Sequence, residues 1–306
     1  MFDVVIPAYN ASLFLAETLD AIAKQTLQPN KVIVVDDGSI DNTYDIACRY
    51  APMVSCIQVD NGGQGLARRI GIEKSSSDWI ALCDSDDVWN ADHLERRADL
   101  IASYGDAVFT YSDCFSFGPM SEENHNLSSE APSGWHEDWE TDKQELFFRL
   151  RDPYRAFLKF NPAFPSGMAF RRNAYHKMGG FLPKYSRWSG EDAEFTRRFL
   201  LLPDISVVGD ANQTWGYRRH VNNFSKDQWK NIYSKAQILT EHVNERIIPD
   251  KYLDDVSREI DRALVRAFDQ AYWSHSKDGV IEVWGNLPIR LKTLKRKIKY
   301  YISMLN

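Results

Sequence analysis

Residues 31–39 read KVIVVDDGS, four consecutive β-branched aliphatic residues followed by two aspartates, a glycine and a serine. An uninterrupted apolar run of this kind is typical of a central strand in a parallel sheet, where helices cover both faces. A second run, WIALC at residues 79–83, is followed by DSDD at residues 84–87. Both patterns predict buried strands whose carboxyl ends carry acidic side chains.

Strand and helix patterns alternate around these two runs throughout the first 114 residues. Further strands are predicted at residues 4–7, 54–59 and 107–111, with helical patterns between them. Repeated strand–helix units predict an α/β fold with a doubly wound, mostly parallel sheet. Ligands of such sheets bind beyond the carboxyl ends of the strands, so Asp36, Asp37 and residues 84–87 are expected to lie at one site.

The pattern changes beyond residue 114. Helices are predicted over Gln144–Phe160 and Glu191–Leu202, and strands over Ile205–Val208 and Thr214–Arg219. From Asp227 onward the pattern is helical. The sequence therefore predicts an α/β domain over residues 1–225, divided near residue 114, and a helical C-terminal region over residues 226–306.

Composition excludes several classes of protein. The 306 residues carry a net charge of -6, which excludes a polycation that binds nucleic acid along its whole surface. Four cysteines lie within the first 114 residues without a CxxC pair, which argues against a zinc module or a disulfide scaffold. The opening MFDVVIPAYNA contains Asp3 and lacks the basic segment of a signal peptide. We expect a cytoplasmic protein.

The DSDD segment has the chemistry of a metal site. Alternating carboxylates on a turn can share Mg²⁺ or Mn²⁺, which prefer oxygen ligands and complete their coordination with phosphate and water. The alternative is a helix N-cap, where aspartate is common. Asp37 has a similar ambiguity, since it can accept from a nucleotide base or ribose hydroxyl, or lie in a plain strand-to-helix turn. Of Arg68 and Arg69, which begin the helix after Gly65, Arg68 is expected to face this site.

Glu191 and Asp192 open a predicted helix shortly after Trp188. Carboxylates in a first helical turn commonly complement the helix dipole. The functional alternative is a general base that projects into a cleft, and the residues alone leave both interpretations open.

Several motifs together resemble family 2 glycosyltransferases with the GT-A fold. Their order along residues 2–225 matches that family. They are Val5-Ile6-Pro7-Ala8-Tyr9-Asn10, Val34-Val35-Asp36-Asp37-Gly38-Ser39, Gly65-Leu66-Ala67-Arg68, Leu82-Cys83-Asp84-Ser85-Asp86-Asp87 and Gly190-Glu191-Asp192, with a weaker echo in Tyr217-Arg218-Arg219-His220. One departure from the family pattern is Arg69. In the family, an asparagine commonly follows the arginine that corresponds to Arg68.

The resemblance implies inverting, metal-dependent transfer of a sugar from a nucleoside diphosphate donor, with UDP-sugar expected, to a glycan or lipid-linked acceptor. It implies a nucleotide-binding half over 1–114 and an acceptor half over 115–225. Asp192 resembles the catalytic base, and Glu191 and Trp188 are expected beside the acceptor. Asp84, Asp86 and His220 are expected to hold Mn²⁺ or Mg²⁺. The expected donor-binding residues are Pro7, Tyr9, Asp37, Arg68, Asp84 and Ser85.

Two alternatives remain beside this interpretation. A nucleotidyltransferase would also use a nucleotide and a metal, but residues 7–10, PAYN, lack the glycine of a phosphate-binding loop near the N-terminus. A protein of the same fold that binds nucleotide or glycan without turnover is the non-enzymatic alternative, against which Asp84, Asp86 and Asp192 argue. A dinucleotide oxidoreductase is disfavoured because no GxGxxG follows the first strand.

The last twenty residues, 287–306, reverse the charge balance of the chain. They contain six basic residues and no acid: Arg290, Lys292, Lys295, Arg296, Lys297 and Lys299. Apolar residues recur among them at three- and four-residue steps, namely Leu291, Leu294, Ile298, Ile302 and Leu305. Such a helix is typical of peripheral binding to an anionic membrane surface, here the inner face of the membrane. The alternative is that its apolar face packs onto the catalytic domain and that the lysines form its solvated side.

Overall fold

The computed structural model describes residues 1–121, 127–141, 147–221 and 227–305. The chain divides into two compact units. The first contains residues 1–187 and 191–221, and the second contains residues 188–190 and the chain from residue 222 onward. The domain boundary predicted between residues 225 and 226 lies outside the described residues.

Ten strands of the described residues form one mixed sheet in the first unit. Their order is β3-β2-β1-β4-β9-β6-β10-β8-β7, and β5 pairs with β10. The strands are β1 Phe2–Ala8, β2 Lys31–Asp36, β3 Val54–Gln58, β4 Trp79–Leu82, β5 Val88–Trp89, β6 Phe109–Phe117, β7 Trp139–Thr141, β8 Phe147–Leu150, β9 Met168–Arg171 and β10 Val207–Arg218.

The first four strands in this order are parallel, as their apolar runs predict. β1 lies between β2 and β4, with Val4 opposite Val32 and Val5 opposite Leu82. β9 then runs antiparallel between β4 and β6, while β6 and β10 are parallel. Because β1 and β2 are covered on both faces, their aliphatic side chains are fully buried. The α/β sheet expected from the sequence is confirmed.

Seven helices belong to the first unit and four to the second among the described residues. They are α1 Leu15–Ala23, α2 Thr43–Cys48, α3 Gln64–Glu73, α4 His93–Ser103, α5 Pro153–Lys159, α6 Arg172–Met178, α7 Glu191–Phe199, α8 Gln228–Asn244, α9 Asp250–Trp273, α10 Lys277–Asn286 and α11 Leu294–Leu305. The starts of α3 and α7 carry the side chains of the candidate site.

The helix predicted over Gln144–Phe160 is wrong over residues 147–152, and residues 144–146 lie outside the described residues. The described part begins with strand β8, whose side chains alternate between partly buried and buried positions because β8 pairs antiparallel with β10. Helix α5 starts only at Pro153, where the Asp152 side chain accepts from the Arg155 N–H. The two strands predicted at 205–208 and 214–219 are one strand, β10, whose pairing with β6 is irregular around Asp210–Gln213.

The second unit is helical, as the sequence predicts. Trp229 and Ala236 of α8 pack with Ala267 and Phe268 of α9 and with Val283 of α10. Within the described residues, none of the helices combines the length and the apolar character needed to cross a bilayer.

Candidate active site

The DSDD turn joins β4 to β5, and its three carboxylates have different partners. Asp84 Oδ1 accepts from Arg68 Nη2 at 2.6 Å. Asp86 Oδ2 lies 2.9 Å from His220 Nε2. Asp87 turns inward and is 2% exposed, whereas Asp84 and Asp86 are only partly buried. The turn therefore keeps two carboxylates near the surface and uses the third as an anchor.

Asp87 fixes the turn to two other elements. Its Oδ1 accepts the Arg218 N–H of β10 at 3.0 Å, and its Oδ2 accepts from Ser166 Oγ at 2.5 Å. Ser166 Oγ in turn accepts the Asp84 N–H at 2.9 Å. Burial, then the nearby charges of Asp86 and Asp84, raise the pKa of Asp87 well above its ordinary value. Ser166 was not predicted from the sequence.

His220 and Asp86 form the part of the site that fits a divalent cation. The His220 ring lies against Phe14, with ring centres 4.7 Å apart, and Arg218 Nε donates to the Asp86 carbonyl at 2.6 Å. Burial, and next the charge of Asp84, raise the pKa of Asp86. A bound cation would relieve both effects. Among the described residues no three acidic, histidine or cysteine side chains converge as a complete cage, so other oxygens would have to complete the coordination.

Arg68 connects the DSDD turn to the start of α7. It is buried, and its Nη1 donates to Glu191 Oε1 while its Nη2 donates to Asp84. Burial alone would lower the pKa of Arg68, but the carboxylates of Asp84 and Glu191 raise it above its ordinary value. Arg69, by contrast, donates to the Phe181 carbonyl at 3.0 Å and pairs with Glu73. Of the two arginines, Arg68 is the one that contacts Asp84 and Glu191.

Glu191 and Asp192 have different surroundings although they are adjacent. Glu191 is 2% exposed, and its second oxygen accepts from Gln64 Nε2 at 2.8 Å. Burial and the charges of Asp192 and Asp84 raise the pKa of Glu191 to about 8, against the opposing effect of Arg68.

Asp192 is more open than Glu191. It is partly exposed, and its Oδ1 accepts the N–H of the next residue, Ala193, at 2.7 Å. No other hydrogen bond to this carboxylate occurs within the described ranges, so Oδ2 is available. Burial raises the pKa of Asp192, although Arg68 and the Ala193 N–H act in the opposite direction. A partly exposed carboxylate with a raised pKa has the properties of a general base.

The close approach of α3 to α7 depends on small residues. The Ser186 hydroxyl donates to the Gly62 carbonyl at 2.8 Å and accepts the Leu66 N–H at 2.7 Å. A Cβ at Gly65 would lie 3.1 Å from both Glu191 Cγ and Ser186 Cα, which is tighter than nine in ten real Cβ contacts. Gly65 therefore lets the helix that carries Arg68 approach Glu191.

Of the other residues expected at the nucleotide, three lie at or near the carboxyl ends of β1 and β2, and Ser85 follows β4. Asp37 is buried, and its two oxygens accept the Gly62 and Gly63 N–H groups at 2.7 and 2.9 Å. Pro7 is buried in β1 opposite Val35, and Tyr9 directly follows that strand and is 53% exposed. Ser85 contributes its carbonyl, which accepts from Thr18 Oγ1 at 3.1 Å. Their roles toward a donor remain predictions.

The structure thus brings five of the predicted residues into one network within the first unit. Asp84, Arg68 and Glu191 are linked directly, and Asp86 and His220 adjoin them through the DSDD turn. Trp188 belongs to the second unit, so its place beside the acceptor remains a prediction.

Curated relatives and solved structures carry the same type of sequence and fold. "Uncharacterized glycosyltransferase YwdF" of Bacillus subtilis (strain 168) is 28% identical over 180 residues, which are 58% of this chain and 60% of that protein. The poly(ribitol-phosphate) beta-N-acetylglucosaminyltransferase TarS of Staphylococcus aureus is 32% identical over 106 residues, 33% of this chain and 18% of its own length. The matched segments therefore span less than two thirds of these relatives.

The likeness to solved structures extends over nearly the whole chain. The crystal structure of S. aureus TarS 1–349 in complex with UDP-GlcNAc covers 99% of this chain and 88% of its own, with a TM-score of 0.63 at 18% identity. The mannosyltransferase PcManGT from Pyrobaculum calidifontis, in complex with GDP-Man and Mn²⁺, covers 99% and 84%, with a TM-score of 0.61 at 15% identity. These likenesses show that the fold is GT-A, as expected.

The chain also matches a family of sequences. The family model described as "Glycosyl transferase family 2" matches residues 3–179. This match covers more than half of the chain and includes the DSDD turn and Arg68. On this match, the protein belongs to glycosyl transferase family 2.

Proposed function

We propose that the protein transfers a sugar from a UDP-sugar to a hydroxyl of a glycan or lipid-linked acceptor, with inversion in one displacement. The observation that carries the proposal is the position of Arg68 between Asp84 and Glu191. One guanidinium thereby fixes the metal motif of the donor side against the helix start that holds Asp192. A single displacement needs this arrangement, because the base and the leaving diphosphate act on opposite sides of the sugar.

The donor side is assigned to residues at the strand ends. Tyr9 offers an exposed ring at the end of β1, and Asp37 holds the Gly62–Gly63 turn. Pro7, Ser85 and Arg68 complete the proposed surroundings of the nucleotide. The choice of UDP is supported by the TarS crystal structures with UDP and with UDP-GlcNAc.

Asp86, His220 and Asp84 would hold Mg²⁺ or Mn²⁺ together with the donor. Two carboxylates and one imidazole nitrogen are suitable ligands, and Mg²⁺ in particular is often bound by one or two carboxylates plus substrate phosphates. When bound, the cation supplies positive charge that stabilises the charge developing on the leaving diphosphate. The Mn²⁺ in the PcManGT structure supports this assignment.

Asp192 is the proposed base of the reaction. Its Oδ2 accepts the proton of the acceptor hydroxyl as that oxygen bonds to the anomeric carbon and the bond to the diphosphate breaks. The Ala193 N–H holds Oδ1 and so orients the carboxylate. Glu191 holds Arg68 and Gln64, which positions the start of α7 for this step.

Glu191 and Trp188 are proposed to lie beside the acceptor, where an indole ring can stack on a sugar face. A polysaccharide acceptor is supported by the names of two relatives. TarS is described as acting on poly(ribitol-phosphate), and the Bacillus subtilis relative TuaG as a putative glycosyltransferase of teichuronic acid biosynthesis.

The experiment is a donor panel in which release of nucleoside diphosphate is measured. UDP-linked sugars and GDP-mannose, and in separate reactions nucleoside triphosphates with sugar phosphates, are incubated with the full chain and Mn²⁺, with and without chelator. We expect slow UDP release from one UDP-sugar, with water taking the sugar in place of the acceptor hydroxyl, and we expect the chelator to abolish it. Release of pyrophosphate from a nucleoside triphosphate and a sugar phosphate would instead indicate a nucleotidyltransferase. Tight UDP binding without any release would indicate a binding protein.

A further inference from the structure

Helix α11 packs against the other helices of the second unit, and the face that makes this contact is not its main apolar face. Tyr300 stacks on Trp284 with ring centres 4.8 Å apart, and Lys299 Nζ lies 2.6 Å from Asp269 Oδ1. Met304 also packs against this helical core. These three residues attach the helix, and they leave Leu294, Ile298 and Ile302 on the other side. Leu291, which was expected on the same face, precedes α11 and packs against the helical core instead.

Those apolar side chains are open to solvent. Leu294 is 75% exposed, Ile298 52%, Tyr301 65% and Ile302 41%. At about 100° per residue, the four side chains fall within one arc of about 100° on the helix. The Leu305 side chain, predicted on the same face, lies outside those that the structure describes. We call the four residues 294, 298, 301 and 302 the apolar strip.

Lysines border the apolar strip on both sides. On the same helical projection Lys295 lies just beyond one edge of the strip and Lys297 beyond the other. Both are exposed, and neither forms an ion pair within the described ranges. Long lysine side chains at these positions can place their ammonium groups outward while their methylene stems lie along the apolar strip.

The charges nearby leave this surface strongly positive. Residues 287–306 contain no acid. Among the described residues, two carboxylates form ion pairs with this segment: Asp261 pairs with Arg290, and Asp269 pairs with Lys299. Lys292 and Arg296 add to the positive charge of Lys295 and Lys297, and none of the four is in an ion pair with a described residue.

We propose that the apolar strip and its flanking lysines bind the surface of an anionic lipid bilayer, with α11 lying in the plane of the interface. The apolar side chains would enter the boundary between headgroups and acyl chains, and the lysines would contact lipid phosphates. The geometry favours a bilayer over a second protein because the strip is narrow and has cations on both edges. The inference is independent of the transfer reaction and of the identity of the donor.

Co-sedimentation of the full chain with vesicles tests this surface. The vesicles are phosphatidylcholine alone, or phosphatidylcholine mixed with phosphatidylglycerol. We expect binding only to the mixed vesicles, weakened by salt. Leu294→Ser with Ile298→Ser should abolish it, and Lys295→Gln with Lys297→Gln should lower the partition coefficient by about tenfold or more. Lys24→Gln with Lys177→Gln removes the same charge from two exposed positions elsewhere and should leave binding nearly unchanged.

Three results would overturn the inference. The first is a full chain that does not bind the mixed vesicles. The second is binding that survives both double substitutions, since another surface would then be responsible. The third is a dimer without lipid, detected by sedimentation, that Leu294→Ser with Ile298→Ser dissociates, since the strip would then join two copies. Thermal melting of each variant confirms that it is folded, and these exposed substitutions should leave Tm nearly unchanged.

Discussion

Asp192 has one carboxylate oxygen available for chemistry, because the other accepts the Ala193 N–H. We predict that Asp192→Asn lowers kcat by about a thousandfold and changes UDP affinity little. The amide keeps the shape of the side chain but cannot accept the proton of the acceptor. Initial rates of UDP release give kcat, and calorimetry gives the Kd of UDP. An equal loss of UDP affinity would place Asp192 on the donor side.

The assignment of Asp192 as the base also predicts how kcat/KM changes with pH. Since burial raises the pKa of Asp192, kcat/KM should fall with decreasing pH around a midpoint above the ordinary aspartate value of about 3.9. The residual activity of Asp192→Asn should lack this acid limb. Asp99→Asn, on the exposed face of α4, is the matched control and should keep the wild-type profile.

Asp86 is the carboxylate beside His220, and its test is metal dependence. We predict that Asp86→Asn nearly abolishes transfer in Mn²⁺ while Tm stays within a few degrees of wild type, because a neutral amide is a poor ligand for a hard cation. Turnover is measured over a titration of Mn²⁺. Near-wild-type turnover of the variant at low Mn²⁺ would contradict the assignment of the metal.

At the scale of the element, the β4–β5 turn depends on one hydroxyl. Ser166 Oγ accepts from the Asp84 N–H and donates to Asp87, so it fixes the backbone that presents the Asp84 and Asp86 carboxylates. We predict that Ser166→Ala lowers kcat/KM by about tenfold and raises the Mn²⁺ concentration needed for half-maximal rate. Ser103→Ala, at the exposed end of α4, is the control. A loss of Tm without a change in Mn²⁺ dependence would make Ser166 purely structural.

Helices α3 and α7 are joined by the buried contact between Arg68 and Glu191. We predict that Arg68→Met lowers the free energy of unfolding by ~3–5 kcal/mol, because it leaves Glu191 and Asp84 without their cation. Glu191→Met should cost less, since Arg68 keeps Asp84, and the double variant should lose less than the sum. Chemical denaturation measures these changes. Arg149→Met, in a surface pair with Asp106, should lose less than about 1 kcal/mol.

Sequence patterns predicted the elements best where burial is two-sided. The apolar runs of β1, β2 and β4 could be interpreted directly, because a strand covered on both faces has no other suitable composition. β8 was missed because its four residues follow a polar stretch and gain their stability from pairing with β10, about sixty positions away. Ser166 and Arg68 show the same limit. Their partners lie 82 and 123 positions away, so no local pattern reveals the contact.

At the scale of the whole molecule, the order of the motifs predicted the family and the fold, and the comparisons confirm both. The motif order could not predict which face of α11 packs. The heptad-like recurrence of Leu294 and Ile298 is compatible with either a buried or an exposed face. Aromatic stacking of Tyr300 and the ion pair of Lys299 determined which side attaches.

The division of the chain into two units bears on the role of Trp188. Residues 188–190 group with the second unit, although residues 187 and 191 belong to the first unit. We predict that Trp188→Ala raises the KM for the acceptor several-fold with Tm retained, since a lost stacking surface weakens only acceptor binding. Steady-state kinetics with varied acceptor measure this effect. A large loss of Tm would show that the indole serves packing instead.

The contact of Arg68 with Asp84 and Glu191 also restricts how this sequence can evolve. Removing one partner of a buried ion pair costs ~3–5 kcal/mol, a large part of the ~5–15 kcal/mol that stabilises a typical protein. A lineage that loses Arg68 by a single mutation would therefore pass through a poorly folded intermediate. The three positions should change together or not at all. Selection from a library randomised at 68, 84 and 191 should recover combinations that conserve the balance of charge rather than independent substitutions.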